Sequence, residues 1–171
     1  MEINIIIVHY NSDDTIHCLE SLVRQTITAN VILVNNASTD HSMDGIRSMK
    51  EKKDLAIHII DSPINGGFAA GNNLALKWAH QNTPKAWNLL LNNDTLLPTD
   101  FLEIFTRTAE ELNRIYTKPF ALSATEYDFS KQNKNIAIRT FLMDADAPIK
   151  EDAKLIAKYI DALEKKKKTS T

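Results

Sequence analysis

Four short polar clusters, each following an apolar run, hold the residue types that could do chemistry. They are His9-Tyr10-Asn11, Asn35-Asn36-Ala37-Ser38-Thr39-Asp40, Asn65-Gly66-Gly67 and Asn92-Asn93-Asp94. Asp94 is the sharpest candidate, because a carboxylate in the short loop that follows Leu89, Leu90 and Leu91 is placed at a strand end, where a polar group would otherwise be costly. It is a hard oxygen donor of the kind that meets Mg or Mn, ions that take most of their other ligands from water and phosphate oxygens. Asp94 and Thr95 could equally do no more than turn the chain toward the helix that follows Pro98. Gly66, Gly67 and Gly71, three of the four glycines in the chain, lie near a helix start that also carries Asn72 and Asn73. Glycines admit a bulky ligand close to the backbone, and free amides at a helix start favour an anion such as a diphosphate. A tight strand-to-helix turn without a ligand would also account for them.

The elements that must position these clusters follow from hydrophobic periodicity. Ile3 to Val8 is an almost continuous apolar run, expected as a central parallel strand covered on both faces. Ser12 or Asp13 can cap a helix reaching about Gln25, with Ile16, Leu19, Leu22 and Val23 on one face. Val31 to Val34 and Ile57 to Asp61 read as the second and third strands, with a charged helix from Met43 to Lys53 between them. Phe68 to His80 reads as a helix carrying Leu74, Leu76, Trp78 and Ala79, and Trp87 to Leu91 as a fourth buried strand. This βαβαβαβ alternation predicts a Rossmann-like, mostly parallel sheet with helices on both faces, and ligand chemistry at the carboxyl ends of its strands. All four polar clusters then meet at one edge.

Beyond residue 100 the pattern is less regular. Asp100 to Tyr116 reads as a helix with Phe101, Ile104, Phe105 and Leu112 inward, and Phe120 to Thr125 with Ile136 to Phe141 as two strands. Glu151 to Lys168 is expected as an amphipathic helix with Leu155, Ile156, Tyr159, Ile160 and Leu163 on one side. The four lysines after Glu164 favour the negative end of that helix's dipole; attraction to an anionic membrane surface is the other reading.

Composition narrows the partners. A chain of 171 residues suits one domain. Its 20 basic against 22 acidic residues give no global reason to expect nucleic acid. No apolar run approaches the roughly 20 residues that span a bilayer, and the start of the chain has no basic leader, so a cytoplasmic protein is expected, with the inner face of the membrane as an alternative site. The single cysteine, Cys18, falls within an apolar helical pattern and reads as buried filler.

The ordered succession Val8-His9-Tyr10-Asn11, Val34-Asn35-Asn36-Ala37-Ser38-Thr39-Asp40, Asn65-Gly66-Gly67-Phe68-Ala69-Ala70-Gly71-Asn72-Asn73 and Leu90-Leu91-Asn92-Asn93-Asp94-Thr95 resembles the family 2 inverting glycosyltransferases of the GT-A fold, especially their rhamnosyltransferase-like bacterial members. The likeness runs from about Ile3 to about Phe105. It implies a nucleotide-sugar site formed by His9, Tyr10, Asn11, Asn35, Asn36, Asn65, Gly66, Gly67, Asn72, Asn92 and Asn93. Tyr10 and Asn11 would flank the nucleotide and Asn35 and Asn36 would face the base. Asp94 would bind a Mg or Mn ion chelated by the diphosphate, at the Asp-X-Asp position. Two features depart from the family pattern: members usually have an aspartate at one of positions 35 and 36, and Asn92 replaces the first aspartate of Asp-X-Asp. The Glu-Asp pair that commonly supplies the family's general base has no counterpart after Phe105, where Asp144 and Asp146 are weak candidates and Glu126 and Asp128 weaker still.

The expectation is therefore a single GT-A-like domain over 1–171. Residues 1–116 would form the nucleotide-sugar-binding part and 117–171 a shortened or divergent acceptor-side part ending in the amphipathic helix. Its activity would be inverting transfer from a nucleoside diphosphate sugar to a carbohydrate or lipid-linked sugar acceptor, in bacterial surface polysaccharide synthesis. The alternative is a truncated, non-catalytic nucleotide-sugar-binding module that needs a partner chain; a homo-oligomer also remains open. A sugar nucleotidyltransferase would show a basic Gly-rich signature directly after the first strand, where His9-Tyr10-Asn11-Ser12-Asp13 stands instead.

Overall fold

The computed structural model describes residues 2–52, 55–115, 120–124 and 138–142. The chain forms two compact units, Met1–Thr108 and Ala109–Thr171. The first is built on four strands, β1 (Ile3–His9), β2 (Asn30–Asn35), β3 (Ile57–Asp61) and β4 (Trp87–Leu91), joined by α1 (Asp14–Val23), α2 (Ser42–Lys52) and α3 (Gly67–Asn82). All pairings are parallel and the order is β3-β2-β1-β4. The α/β architecture is that expected from the alternation of apolar runs.

The strand order explains where the helices lie. From β1 to β2 to β3 the chain moves steadily one way across the sheet, then returns past both to place β4 beside β1. Because parallel crossovers are right-handed, α1 and α2 belong to one face and α3 to the other. Ile6, Ile32 and Val34 pack with Ala75 and Ala79 of α3, and Trp78 of α3 stacks on His58 of β3 with ring centroids 4.0 Å apart. Ile5, Ile7, Val31 and Leu33 alternate onto the opposite face and are equally buried. Every residue of β1 is buried, Asn4 and His9 included, as befits an almost continuous apolar run.

Two of the expected helical faces are rotated. On α1, Thr15, Cys18, Leu19 and Leu22 are buried, whereas Val23 is 41% exposed. The polar Thr15 and the small Cys18 are drawn inward because each finds a hydrogen-bond partner there. On α3, Gly71, Asn72, Ala75 and Ala79 face the sheet and Leu74 faces outward, because small residues let the helix settle close to the strands. A Cβ on Gly71 would lie 2.7 Å from Val8 Cγ1. Gly71 thus serves helix-on-strand packing.

The expectation of a fourth buried strand needs correction. Leu91 is buried, but Asn88 is exposed and Leu90 is 47% exposed, because β4 is the edge of the sheet among the described residues.

After β4, α4 (Phe101–Ile115) runs across the boundary between the units. Its buried positions are Leu102, Phe105, Thr106, Ala109 and Leu112, so Leu102 replaces the expected Phe101 and Ile104 on the inward stripe. In the second unit, β5 (Phe120–Ala124) and β6 (Ile138–Leu142) form an antiparallel pair. The expected C-terminal helix 151–168 and the carboxylates Glu126, Asp128, Asp144 and Asp146 lie outside the described residues. Among the described residues no helix is long and apolar enough to cross a membrane.

Candidate functional site

In an open parallel sheet the crevice for a ligand lies where the strand order reverses, outside the carboxyl ends of the strands. Here that point is between β1 and β4. His9, Asn35 and Asp61 are register partners at the ends of β1, β2 and β3, and β4 ends at Leu91, opposite Ile7. The polar clusters read from the sequence leave the sheet along this edge.

Asn92, Asn93, Asp94 and Thr95 form a tight turn closed by Thr95 N–H donating to Asn92 O at 3.2 Å. Asp94 is exposed at the third position of that turn. Asn93 does not face outward alongside it, because its Nδ2 donates to Thr15 Oγ1 at 3.0 Å, tying the turn to the first turn of α1. Cys18 adds a weak contact from its Sγ to Asn92 O at 3.7 Å. Burial, opposed by a backbone hydrogen bond at Thr95 and reinforced by the Asp94 charge, pushes the Cys18 thiol up to about 12. The filler reading of Cys18 therefore holds, and in the native protein it should resist alkylation by iodoacetamide yet react quickly once unfolded in guanidinium. Rapid native alkylation would contradict it.

The β1 and β2 loops are laced together. Asn11, at φ 45, donates its backbone N–H to Ser38 Oγ at 3.2 Å and accepts Thr39 N–H on Oδ1 at 2.8 Å. Ala37 sits at φ 62, a left-handed conformation costing an L-residue with a Cβ about 1–2 kcal/mol, so the loop is held in shape by its surroundings. Tyr10 projects from this edge, 45% exposed.

The asparagine pair after β2 divides its work. Asn35 donates Nδ2–H to Asp61 Oδ1 at 2.9 Å and accepts Ser38 N–H at 3.0 Å. Asp61 also receives two hydrogen bonds from Arg47 Nη2, at 2.9 and 3.2 Å. These donors, Asn35 first and then Arg47, hold its carboxyl below the usual range against the effect of burial. Asn36 is buried; its Nδ2 donates to Asn65 Oδ1 at 2.7 Å and its Oδ1 accepts Gly66 N–H at 3.2 Å. Asn65 Oδ1 also accepts Gly67 N–H at 3.0 Å, and Gly67, at φ 80, has the conformation that favours glycine. Thus Asn36 and Asn65 strap the second loop to the third. Asn72 is buried, with Nδ2 donating to Phe68 O at 2.9 Å while its Oδ1 has no hydrogen-bond partner among the described residues.

His9 lies beneath the loops, fully buried, with Nδ1 2.8 Å from Thr15 Oγ1 and Nε2 2.9 Å from Ser42 Oγ. Ser42 in turn hydrogen-bonds Asp40. Burial lowers the His9 pKa below 6.5, outweighing the opposing pull of Asp40 and Asp13. A histidine held neutral in the folded state adds nothing to pH dependence while the unfolded chain is also neutral. As pH falls through 6.5 the unfolded state takes up the proton first, so stability is lost on acidification toward the folded-state pKa. Chemical denaturation should show this decline setting in as pH falls from about 7 through 6.5, in a His58→Gln background, which removes the other histidine shifted in the same direction. A flat profile across that window would contradict a neutral, buried His9.

The sequence reading missed Thr15, Ser42, Arg47 and Asp61 as parts of this edge; Asp40 it included in the second polar cluster. Asp61 carried a signal, since it ends β3 in register with Asn35. Thr15 and Ser42 carried only their places near helix starts.

The donor set bears on what the edge could hold. Among the described residues, no group of three or more His, Cys, Asp or Glu side chains could hold a metal ion. Asp94, a single carboxylate preceded in the turn by Asn92 and Asn93, suits an ion that arrives chelated by phosphate oxygens better than a resident ion.

Residues 4–152 match the glycosyl transferase family 2 profile. The chain belongs to that family. The sheet order and the strand-end loops accord with its GT-A fold. A poly(ribitol-phosphate) beta-glucosyltransferase of Bacillus spizizenii is 40% identical over 83 residues, 46% of this chain and 13% of that protein. A teichoic acid poly(glycerol phosphate) polymerase of Staphylococcus epidermidis is 37% identical over 78 residues, 44% of this chain and 11% of that protein. The alignments thus span a small part of both relatives. Among solved structures, S. aureus TarS shares the fold with a TM-score of 0.57 at 23% identity, covering 66% of this chain and 20% of TarS. The 1–349 portion of TarS in complex with UDP-GlcNAc superposes with the same score of 0.57 at 24% identity, covering 65% of this chain and 32% of that one.

Proposed function

We propose that the carboxyl edge of the sheet binds a nucleoside diphosphate sugar, and that the chain transfers the sugar, with inversion, to a hydroxyl acceptor in the synthesis of a bacterial cell-surface polymer. The carrying observation is that the turn bearing Asp94 and the loops of Tyr10 and Asn11, Asn35 to Thr39, and Asn65 to Gly67 leave the sheet along one edge, the carboxyl edge on which the strand order reverses between β1 and β4. Family membership supports the reaction class, and the two named relatives support a surface polymer as the destination.

Each part of the edge has a task in this reading. Tyr10 offers an exposed ring to the base, and the Asn35–Asp61–Arg47 group presents both acceptors and donors beside it. The backbone turns at Gly66 and Gly67 bring the start of α3 toward the diphosphate. Asp94 would hold a divalent metal that arrives with the diphosphate; bound there, Mg or Mn would supply positive charge against the charge that grows on the leaving group. Inversion needs a base within hydrogen-bond reach of the acceptor hydroxyl. Asp144 and Asp146 remain the sequence candidates for it.

The test is a thermal-shift panel of UDP-, dTDP- and GDP-sugars, each with and without Mn, followed by hydrolysis and transfer assays on any binder. A metal-dependent shift followed by turnover is expected. If no nucleotide stabilises the wild type, the binding reading fails; binding without turnover favours a non-catalytic module that works with a partner chain.

A further inference from the structure

The polar chain beneath the loops, buried at Thr15, His9 and Ser42, has a direction. An amide Nδ2 can only donate, so Thr15 Oγ1 accepts from Asn93, at 3.0 Å. A carboxylate can only accept, so the Ser42 hydroxyl donates to Asp40. The Ser42 oxygen then receives the Nε2–H of His9, and the remaining lone pair on His9 Nδ1 takes the Thr15 hydroxyl proton. Every donor points the same way, from Asn93 through Thr15, His9 and Ser42 to Asp40. Such a chain uses each hydroxyl once as donor and once as acceptor, the arrangement in which neighbouring hydrogen bonds strengthen one another. It also joins the turn bearing Asp94 to the loop after β2, although 53 positions separate Asn93 from Asp40 in the sequence (93 minus 40).

We propose that His9 and Thr15 are positioning residues: a neutral Nε2–H imidazole orients the Thr15 hydroxyl, which holds Asn93 and thereby sets the turn that presents Asp94. Neither residue needs to touch substrate, since both are fully buried. The inference rests on the proposed role of Asp94 at the metal and diphosphate. Replacing Thr15 by valine keeps shape and volume but leaves Asn93 Nδ2 and His9 Nδ1 without their partner, so the turn loses its anchor. Serine restores the hydroxyl.

Two measurements on this chain test it. Imidazole nitrogen NMR should show His9 with its proton on Nε2; a proton on Nδ1 overturns the assigned direction. Calorimetric titration with UDP, GDP and dTDP, each with and without MnCl2, should then show Thr15→Val raising Kd in the presence of Mn about tenfold. The metal-free Kd should change by less than about twofold and Thr15→Ser should recover most of the loss. Equal weakening with and without Mn, or none, overturns the positioning role, because a merely structural defect would not single out the metal-dependent part. Should the wild type bind no nucleotide, the Asp94 reading fails by itself and the coupling is judged by the Asn93 side-chain amide signals. Their displacement in Thr15→Val and return in Thr15→Ser support it, and unchanged signals overturn it.

Discussion

Asp94→Ala should abolish the manganese-dependent part of nucleotide-sugar binding and lower any transfer rate by about a hundredfold or more, the scale on which a single electrostatic stabiliser of a leaving group acts. The effect should be large because Asp94 is the one carboxylate of its turn, with Asn92 and Asn93 beside it, and among the described residues no group of three or more His, Cys, Asp or Glu side chains could hold a metal ion in its place. Asp94→Asn separates charge from shape. It keeps the size of the side chain but leaves only a neutral carbonyl oxygen, so it should resemble Asp94→Ala if the charge is what matters. Folding should barely respond, within about 0.5 kcal/mol, because Asp94 is exposed and its side chain braces no neighbouring loop. Metal-dependent binding retained in Asp94→Ala, measured by thermal shift and calorimetry, would remove Asp94 from the site.

Gly71→Val should cost about 3 kcal/mol of stability, seen as a fall of roughly 10 °C in Tm for a chain of this size. The cause is a contact, not a turn. A Cβ at position 71 would stand 2.7 Å from Val8 Cγ1 and 2.9 Å from Cγ2, and Val8 is a β-branched residue set in a packed sheet, so it cannot swing aside cheaply. Gly71→Ala should cost less, since the better helix propensity of alanine returns about 1 kcal/mol. Trimming the partner supplies the control: in a Val8→Ala background the penalty of Gly71→Val should shrink, a coupling that a double-mutant cycle measures directly. Because Val8 immediately precedes His9, the intact double variant should also report whether loosening this contact disturbs the polar chain above it. Additive effects in the cycle would mean that Gly71 is there for another reason.

Much of the architecture was legible from periodicity. Ile57–Asp61 and Trp87–Leu91 appear with the bounds expected from their apolar runs, and the other first-unit strands differ by a residue or two at their ends. The helix faces were less legible. Hydrophobicity alone turns Val23 and Leu74 inward, whereas the packed structure buries Thr15, Gly71 and Asn72, because a satisfied hydroxyl or a missing side chain fits close packing where a larger apolar group does not. The exposure of Leu90 was equally hidden, since three consecutive leucines look alike until the sheet shows which strand lies at its edge.

The site divides along the same line. The sequence by itself determined that polar clusters containing Tyr10, Asn35, Asn36, Asn65, Gly66 and Asp94 follow successive strands, and a parallel sheet necessarily brings such clusters to one edge. Only the tertiary structure decided which of these residues face outward and which are spent on holding the loops. Asp94 and Tyr10 are exposed, while His9 and Asn36 are buried struts whose partners lie 6 to 33 residues away in the chain. Local spacing carries no information on such pairings, because the energy of a buried hydrogen bond depends on distances set only when strands and helices pack.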